Sequence, residues 1–140
     1  MLELSLPYNA IKFIGDGLES HLSEFCGTIY GSRIVQKYIS FYGSKLNVLK
    51  LFDDKDSYFT LSKSKYGNYT IQKLLEKNQT YSNLMIYNKF RNKFIFNIFT
   101  DGKKLTELSI NKHGSEVIET CIKVATKQQI TEFVLSLIHI

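Results

Sequence analysis

The sequence predicts an all-α fold in which short helical repeats stack side by side. Three observations support this prediction: a glycine-centred motif occurs three times, apolar residues recur three and four positions apart around it, and the chain contains a single proline. Isolated units of this kind cannot bury their apolar faces, so neighbouring units must pack together into a solenoid.

The repeat is marked by glycines at positions 31, 67 and 114. The first interval is 36 residues and the second is 47, which corresponds to 36 with an insertion of eleven. An apolar residue stands six positions before each glycine, and others stand four and eight positions after it. In chain order these are Phe25, Val35 and Ile39, then Leu61, Ile71 and Leu75, then Leu108, Ile118 and Ile122. The period is longer than the ~33 and ~34 residues of ankyrin and tetratricopeptide arrays.

Each glycine is followed by a small polar residue and an amphipathic helical pattern. Ser32, Asn68 and Ser115 suit the N-cap or the first turn of these helices, because their side chains accept hydrogen bonds from free backbone N–H groups. One helix is therefore predicted to begin at each glycine.

The segments between these helices complete the repeating units. Further helical stretches are predicted at about 46–52 and 83–99, and turn signals separate them from their neighbours at 43–44, 53–57 and 101–102. The predicted repeats span about 8–42, 43–79 and 80–125, with the start of a fourth at 126–134.

The last six residues, 135–140, match the translation of a transposon-end adaptor used in sequencing libraries. We interpret this segment as a non-native tail, in which case the natural reading frame was interrupted near Val134. No function is therefore assigned to the tail.

Composition restricts the class of protein. The 140 residues, 44% hydrophobic and 22% charged, suit one modest domain or a short array. No apolar run approaches the ~20 residues of a membrane helix, and the first residues lack the features of a signal peptide. We therefore expect a cytoplasmic protein without a membrane partner. The net charge of +5 favours a polyanionic partner.

Catalytic and metal-binding patterns are missing from the sequence. Cys26 and Cys121 stand far apart with no CxxC motif, which is typical of packed core residues in an intracellular protein. His21, His113 and His139 are scattered, so no zinc site is predicted. No nucleophile, base or carboxylate pair recurs, and we expect neither an enzyme, a cofactor nor a small-molecule substrate.

Polar residues recur on one face of each predicted helix. The pairs Ser32 with Gln36, Asn68 with Gln72, and Ser115 with Glu119 are each four residues apart, which is one helical turn. The residue after the first member of each pair lies beside it: Arg33, Tyr69 and Glu116 respectively. Two hydrogen-bonding groups with a flat side chain beside them are what the recognition of an unpaired base requires.

These segments resemble Pumilio (PUF) repeats. The strings "YGNYTIQKLLE" from Tyr66 and "HGSEVIETCI" from His113 are similar to the most recognisable sequences of that family. The resemblance covers nearly the whole chain and implies a right-handed superhelical solenoid of three-helix repeats. It also implies a single-stranded RNA partner, read one base per repeat in mRNA 3′ untranslated regions, for control of translation, stability or localisation. Effector proteins would then bind the convex face.

The resemblance also implies a base for each triplet. Ser32-Arg33-x-x-Gln36 is similar to the family's adenine triplet, Asn68-Tyr69-x-x-Gln72 to its uracil triplet, and Ser115-Glu116-x-x-Glu119 to its guanine triplet. Because family members bind RNA antiparallel to the chain, the expected sequence is 5′-GUA-3′ within a UGUA-type element. The first and second members of each triplet pair would meet the base edge, and Arg33, Tyr69 and Glu116 would stack.

Two features leave alternatives open. Glu116 stands where the family places an aromatic, Arg, Asn or His residue, and a carboxylate stacks poorly. The eleven-residue insertion between Leu75 and Leu108 either lengthens helices on the convex side or shifts the third repeat out of register. The alternative function is a divergent helical scaffold that binds protein, or nucleic acid without sequence preference. Four lysines could contact phosphates or be solvated: Lys37, Lys63, Lys65 and Lys73.

Overall fold

A computed structural model describes residues 7–42, 46–53, 56–76 and 85–139 of the chain. These residues form helices without a β-strand, so the predicted all-α fold is confirmed. In chain order the elements are α1 (Tyr8–Ser20), α2 (Leu22–Cys26), α3 (Ile29–Tyr42), a 3₁₀ helix (Val48–Phe52), α4 (Ser57–Ser62), α5 (Gly67–Glu76), α6 (Met85–Phe99), α7 (Gly102–Ile110), α8 (Gly114–Val124) and α9 (Lys127–His139).

The three helices that carry the glycine motif, α3, α5 and α8, lie side by side. We call them the motif helices. α5 packs against α3 on one side and against α8 on the other, and each motif helix also packs against the short helix that precedes it. This arrangement is the solenoid stacking that the repeat predicts, because each unit buries its apolar face against its neighbour.

Each repeated glycine is required by a close approach of two backbones. A Cβ atom at position 31 would lie 2.3 Å from the carbonyl oxygen of Phe25, and one at position 67 would lie 2.8 Å from that of Leu61. At position 114 the corresponding distance, to Leu108, is 2.7 Å. The residue six positions before each glycine is therefore the residue it packs on, which explains why the two recur together.

The core follows the predicted periodicity at seven of the nine apolar positions, and Phe25 is only half-buried. Val35, Ile39, Ile71 and Leu75 are buried as predicted, but Ile122 is 43% exposed. α3 and α5 each pack against the motif helix that follows them, whereas α9, which follows α8, packs mainly against α6 and α7.

Both cysteines are free and buried in the core, as predicted. Burial raises the pKa of the Cys26 thiol to about 12, against a weaker opposing effect of a hydrogen bond with Thr70. Burial also raises the pKa of the Cys121 thiol.

The insertion falls near α6, the longest helix described. Phe90 packs on Phe52 of the second unit at 5.1 Å between ring centroids, and Phe94 packs on Tyr58 at 5.6 Å. At its other end Phe99 contacts Phe133 of α9 at 4.8 Å. The apolar segment is thus a core helix that joins the second unit to α9. Since α8 still packs directly on α5, the structure favours the longer-helix alternative over a displaced repeat.

Some predictions concern residues outside the described part of the chain. The turn signal at 43–44 lies there, as do 54–55 within the second signal and 83–84 at the start of the predicted second stretch. The third signal is confirmed, because Asp101 caps α7 by accepting hydrogen bonds from the N–H groups of Lys103 and Lys104. α9 continues to His139, through the segment interpreted as a tail, and that interpretation stays a prediction.

Within the described ranges, no helix combines the length and the apolar character needed to cross a bilayer.

Replacing Gly114 with alanine is expected to lower the free energy of unfolding by ~1–3 kcal/mol, because the new Cβ would collide with the Leu108 backbone. The matched control is Gly17→Ala in α1, where nothing lies within 4 Å of the new Cβ. There alanine should raise stability by up to ~1 kcal/mol through helix propensity alone. Urea unfolding measures both, and a stabilising Gly114→Ala change would contradict the close approach.

Candidate nucleic-acid interface

The motif helices begin at a repeated cap that the sequence reasoning missed. Three residues before each glycine, a side-chain oxygen accepts a hydrogen bond from the glycine N–H group. The acceptors are Thr28 Oγ1 (3.0 Å), Ser64 Oγ (2.9 Å) and Asn111 Oδ1 (2.8 Å). A Ser, Thr or Asn three positions before each glycine was the available signal, since these are the preferred capping residues. Ser32, Asn68 and Ser115 instead lie in the first turns of the helices, the other position predicted for them.

In α3 the predicted pair is in direct contact. The Gln36 Nε2 group donates to Ser32 Oγ at 2.9 Å. Ser32 is only 3% exposed, and its hydroxyl also lies 3.1 Å from the Tyr66 carbonyl oxygen and 3.0 Å from Thr70 Oγ1. Gln36 is half-buried. The pair therefore has an inner member that is held by the second unit and an outer member near the surface.

In α5 the pair has the same arrangement with different chemistry. Asn68 is 0% exposed, and its Nδ2 group donates to the carbonyl oxygens of Ser64 and Lys65. Its Oδ1 atom accepts from Gln72 Nε2 at 3.0 Å. Gln72 is half-buried, and its Oε1 atom accepts from the Thr120 hydroxyl of α8 at 2.9 Å.

In α8 the pair is more open. The Ser115 hydroxyl donates to the Lys112 carbonyl oxygen at 3.1 Å, and the side chain is half-buried. Glu119 is exposed. The two members are not joined by a hydrogen bond in the part of the chain that the structure describes. The carboxylate of Glu119 is thus presented to solvent as an acceptor.

The residue beside each pair is exposed in every unit. Tyr69 is 51% exposed, and the side chains of Arg33 and Glu116 are exposed as well. A half-exposed tyrosine ring and an exposed guanidinium group offer flat surfaces on which a base can stack. The Glu116 carboxylate offers no such surface.

Positive charge collects beside α3. One shallow depression is lined by Arg33, Gln36, Lys37, Ser40, Phe41 and Lys73. Lys37 lies over the Phe41 ring at 5.9 Å from its centroid. Three cations in one depression next to the polar pairs create a surface that attracts phosphate groups.

The other two lysines of the prediction are placed differently. Lys63 pairs with Glu107 of α7 and lies over the Phe59 ring, so its charge is partly neutralised. Lys65 is exposed and lies over the Tyr66 ring. Of the four lysines, Lys37 and Lys73 are therefore the ones that share the depression with Arg33.

Among the described residues, no group of three or more histidine, cysteine, aspartate or glutamate side chains is arranged to hold a metal ion.

The motif helices lie side by side, and each has the same cap, the same glycine contact and a polar pair at the same position. These features define a helical-repeat solenoid. Two segments, 57–87 and 104–139, match the Pumilio-family RNA binding repeat. Pumilio homolog 12 from Arabidopsis thaliana is 23% identical over 138 residues, which are 99% of this chain and 21% of that protein. The two matched segments, just under half of the chain, support the prediction that it is built from Pumilio-type repeats.

Solved structures support the same fold. The RNA-binding domain of yeast Puf5p bound to MFA2 RNA matches with a TM-score of 0.69 and 20% identity, over 96% of this chain and 36% of that one. The same domain bound to SMX2 RNA matches with a TM-score of 0.68 at the same identity and coverage. The predicted solenoid of Pumilio-type repeats is confirmed, and the chain spans about a third of the domain it resembles.

Replacing Asn111 with alanine is expected to cost ~0.5–2 kcal/mol of unfolding free energy, because the N–H groups of His113 and Gly114 both lose their acceptor. Asn111→Asp should retain most of this stability, since a carboxylate oxygen also accepts. Asn88→Ala, at an exposed position within α6, provides the control for the same change of residue. Urea unfolding of the three variants checks the cap, and equal effects of Asn111→Ala and Asn88→Ala would contradict it.

Proposed function

We propose that this chain binds single-stranded RNA in a sequence-specific manner, with one base at each motif helix. The proposal rests on the polar pairs of the three motif helices. α3, α5 and α8 lie side by side, each carries one pair, and an exposed residue stands next to each pair. The cationic depression beside α3 suits the phosphate backbone. The match of two segments to the Pumilio-family RNA binding repeat and the similarity of the fold to the two RNA-bound Puf5p structures support the same conclusion.

The pairs act as units in this proposal. The outer members Gln36, Gln72 and Glu119 present the group that meets the base edge. The sequence predicts base-edge contacts for Ser32 and Asn68 as well, but both are buried, and we assign them instead to fixing the outer member. The half-buried Ser115 keeps its predicted place at the base edge. Tyr69 and Arg33 supply stacking surfaces, and Glu116 is the weakest of the three stacking positions.

The chemistry of the outer members matches three different bases. An ionised Glu119 only accepts hydrogen bonds, which suits the N1–H and amino donors of guanine. The Gln36 and Gln72 amides donate and accept, which suits the mixed edges of adenine and uracil. Read antiparallel to the chain, the helices specify 5′-GUA-3′ within a UGUA-type element.

Cellular roles follow from the same proposal. A protein that reads short elements in mRNA 3′ untranslated regions acts in the cytoplasm on translation, stability or localisation. It performs no chemistry on the RNA, so effector proteins that bind the convex face carry out the response. The chain covers 21% of its Arabidopsis relative, and the full RNA target would extend beyond three bases.

Fluorescence anisotropy with a short UGUA-containing RNA, beside RNAs changed at G, U or A and at fixed salt, tests the proposal. Each change should weaken binding about tenfold, equivalent to about 1.4 kcal/mol. Salt is fixed because phosphate contacts are salt-dependent and independent of sequence. Equal binding to all RNAs would contradict base reading and favour the scaffold alternative.

Glu119→Gln is expected to reduce the preference for guanine by ~1–3 kcal/mol, because the amide replaces one acceptor with a donor. The preferences at U and A should be unchanged. Glu24→Gln on α2 removes the same charge from an exposed position and controls for a general electrostatic gain in RNA affinity. Anisotropy with the RNA panel measures the effect, and an equal loss at every base would refute the assignment.

Tyr69→Ala is expected to lower RNA affinity by ~1–3 kcal/mol with little change in base preference, because stacking does not depend on sequence. Tyr69→Phe keeps the ring and should keep most of the affinity. Phe13→Ala removes another highly exposed aromatic side chain, on α1, and should have no effect. The same titrations provide the measurement, and unchanged affinity of Tyr69→Ala would remove the stacking role.

A further inference from the structure

We infer that Thr70 and Thr120, which lie outside the triplets, are positioning residues that orient the base-reading amides of the preceding unit. The inference rests on the proposed function and extends it: the base read by one motif helix depends on a hydroxyl group supplied by the next. Thr70 of α5 serves the α3 pair, and Thr120 of α8 serves the α5 pair.

Thr120 is placed to act through Gln72 rather than on RNA. It is 6% exposed, and its Oγ1 atom lies 2.9 Å from Gln72 Oε1 and 3.1 Å from the Glu116 carbonyl oxygen of its own helix. Thr120 and Gln72 are 48 positions apart in the sequence. Thr120 is not a member of any triplet, and helix periodicity does not predict a contact between residues so far apart in the sequence.

The direction of the Gln72 amide is fixed by a relay that begins at the backbone. The carbonyl oxygens of Ser64 and Lys65 only accept, so they require the Asn68 nitrogen to face them. Asn68 Oδ1 must then face Gln72, which requires the Gln72 nitrogen at that end. Gln72 Oε1 therefore points away from Asn68 and faces the Thr120 hydroxyl. The one Thr120 proton lies between two acceptors, and it is donated to Gln72 Oε1 at 2.9 Å in preference to the Glu116 carbonyl oxygen at 3.1 Å.

This relay leaves Gln72 with one N–H group and one oxygen lone pair for a ligand. That remainder is complementary to the N3–H donor and a carbonyl acceptor of uracil. With both ends of the amide held, the side chain does not have to be ordered when RNA binds, and this lowers the entropic cost of reading the base.

Thr70 of α5 acts on the α3 pair through its inner member, because its hydroxyl is hydrogen-bonded to Ser32. The Tyr66 carbonyl oxygen can only accept, so the single Ser32 proton goes to it. The two lone pairs of Ser32 Oγ then accept from Thr70 Oγ1 and from Gln36 Nε2. Gln36 is thereby turned with its nitrogen inward and its oxygen available to the adenine amino group.

The third unit differs from the other two in the side chain that would meet the base and in whether that side chain must be oriented. The corresponding acceptor there, Glu119, is a carboxylate whose two oxygens are equivalent, so it needs no group to choose between its ends. Among the described residues, a threonine hydroxyl therefore contacts the pair that contains each of the two amides, Gln36 and Gln72, and no such contact is made to Glu119.

The test uses two isosteric variants, Thr120→Val and Thr70→Val, against the RNA panel in which one base of GUA is changed at a time. Thr120→Val should reduce the preference for the central U about threefold to tenfold, the range expected for one net hydrogen bond. Its preferences at G and A should stay within about twofold of the original chain, since the Thr120 hydroxyl is hydrogen-bonded to Gln72 and to a backbone carbonyl oxygen, and to no side chain of the other pairs among the described contacts. Thr70→Val should instead reduce only the preference for A. Thr120→Ser and Thr70→Ser keep the hydroxyl group and should restore both.

A purely structural role predicts a different pattern. If the valine variants weaken binding to every RNA equally, or leave all preferences unchanged while the original chain discriminates, the inference is overturned and the proposed function stands. If the original chain itself shows no base preference, both fail together. Urea unfolding checks that each variant is folded, and Thr120→Ala is the second variant if Thr120→Val is not.

A measurement without RNA tests the geometry separately. In ¹H–¹⁵N spectra the Gln72 side-chain amide signals should move in Thr120→Val and return towards their original positions in Thr120→Ser. Signals that do not respond to Thr120→Val would overturn the contact irrespective of any RNA result.

Discussion

The structure depends on the contact between each repeated glycine and the carbonyl oxygen of the residue six positions earlier. A Cβ atom at any of the three positions would lie only 2.3 to 2.8 Å from that oxygen, which leaves room for glycine alone. The motif helix and the preceding short helix therefore meet in the same way in each unit. The cap three residues before each glycine then fixes where the helix takes up its hydrogen-bond pattern. Because both devices recur, residues at the same distance from each glycine reach corresponding positions, and this places three polar pairs in register.

Neighbouring units build the candidate RNA-binding face together. The inner members of two pairs are buried, and the α3 pair is tied to α5 just as the α5 pair is tied to α8. A polar network buried between helices is favourable only when its donors and acceptors are satisfied, and the Ser32 and Asn68 networks meet that condition. Gln36 and Gln72 are each hydrogen-bonded to a neighbouring side chain in this structure. In the proposed function, this order before RNA binds favours discrimination between bases.

The insertion illustrates how a repeat array absorbs an irregular length. Its apolar residues lie in α6, where tilted and edge-on rings connect the 3₁₀ helix, α4 and α9. The extra material therefore strengthens contacts among the outer helices while α8 remains against α5. A periodicity count predicts that extra residues are present, but the face they occupy depends on which aromatic side chains find partners in other units.

Residue spacing is enough to predict the helical class, the repeat, the glycine positions and the helix face of Gln36, Gln72 and Glu119, because helix period and spacing from a glycine are local properties. The stacking of the units was needed to establish that Ser32 and Asn68 are buried, that Ile122 is exposed, and that Thr70 and Thr120 contact the preceding unit. Burial depends on which helix covers a flank, and a hydrogen bond between residues 38 or 48 positions apart depends on how two units stack. Neither is encoded in the pattern of a single repeat.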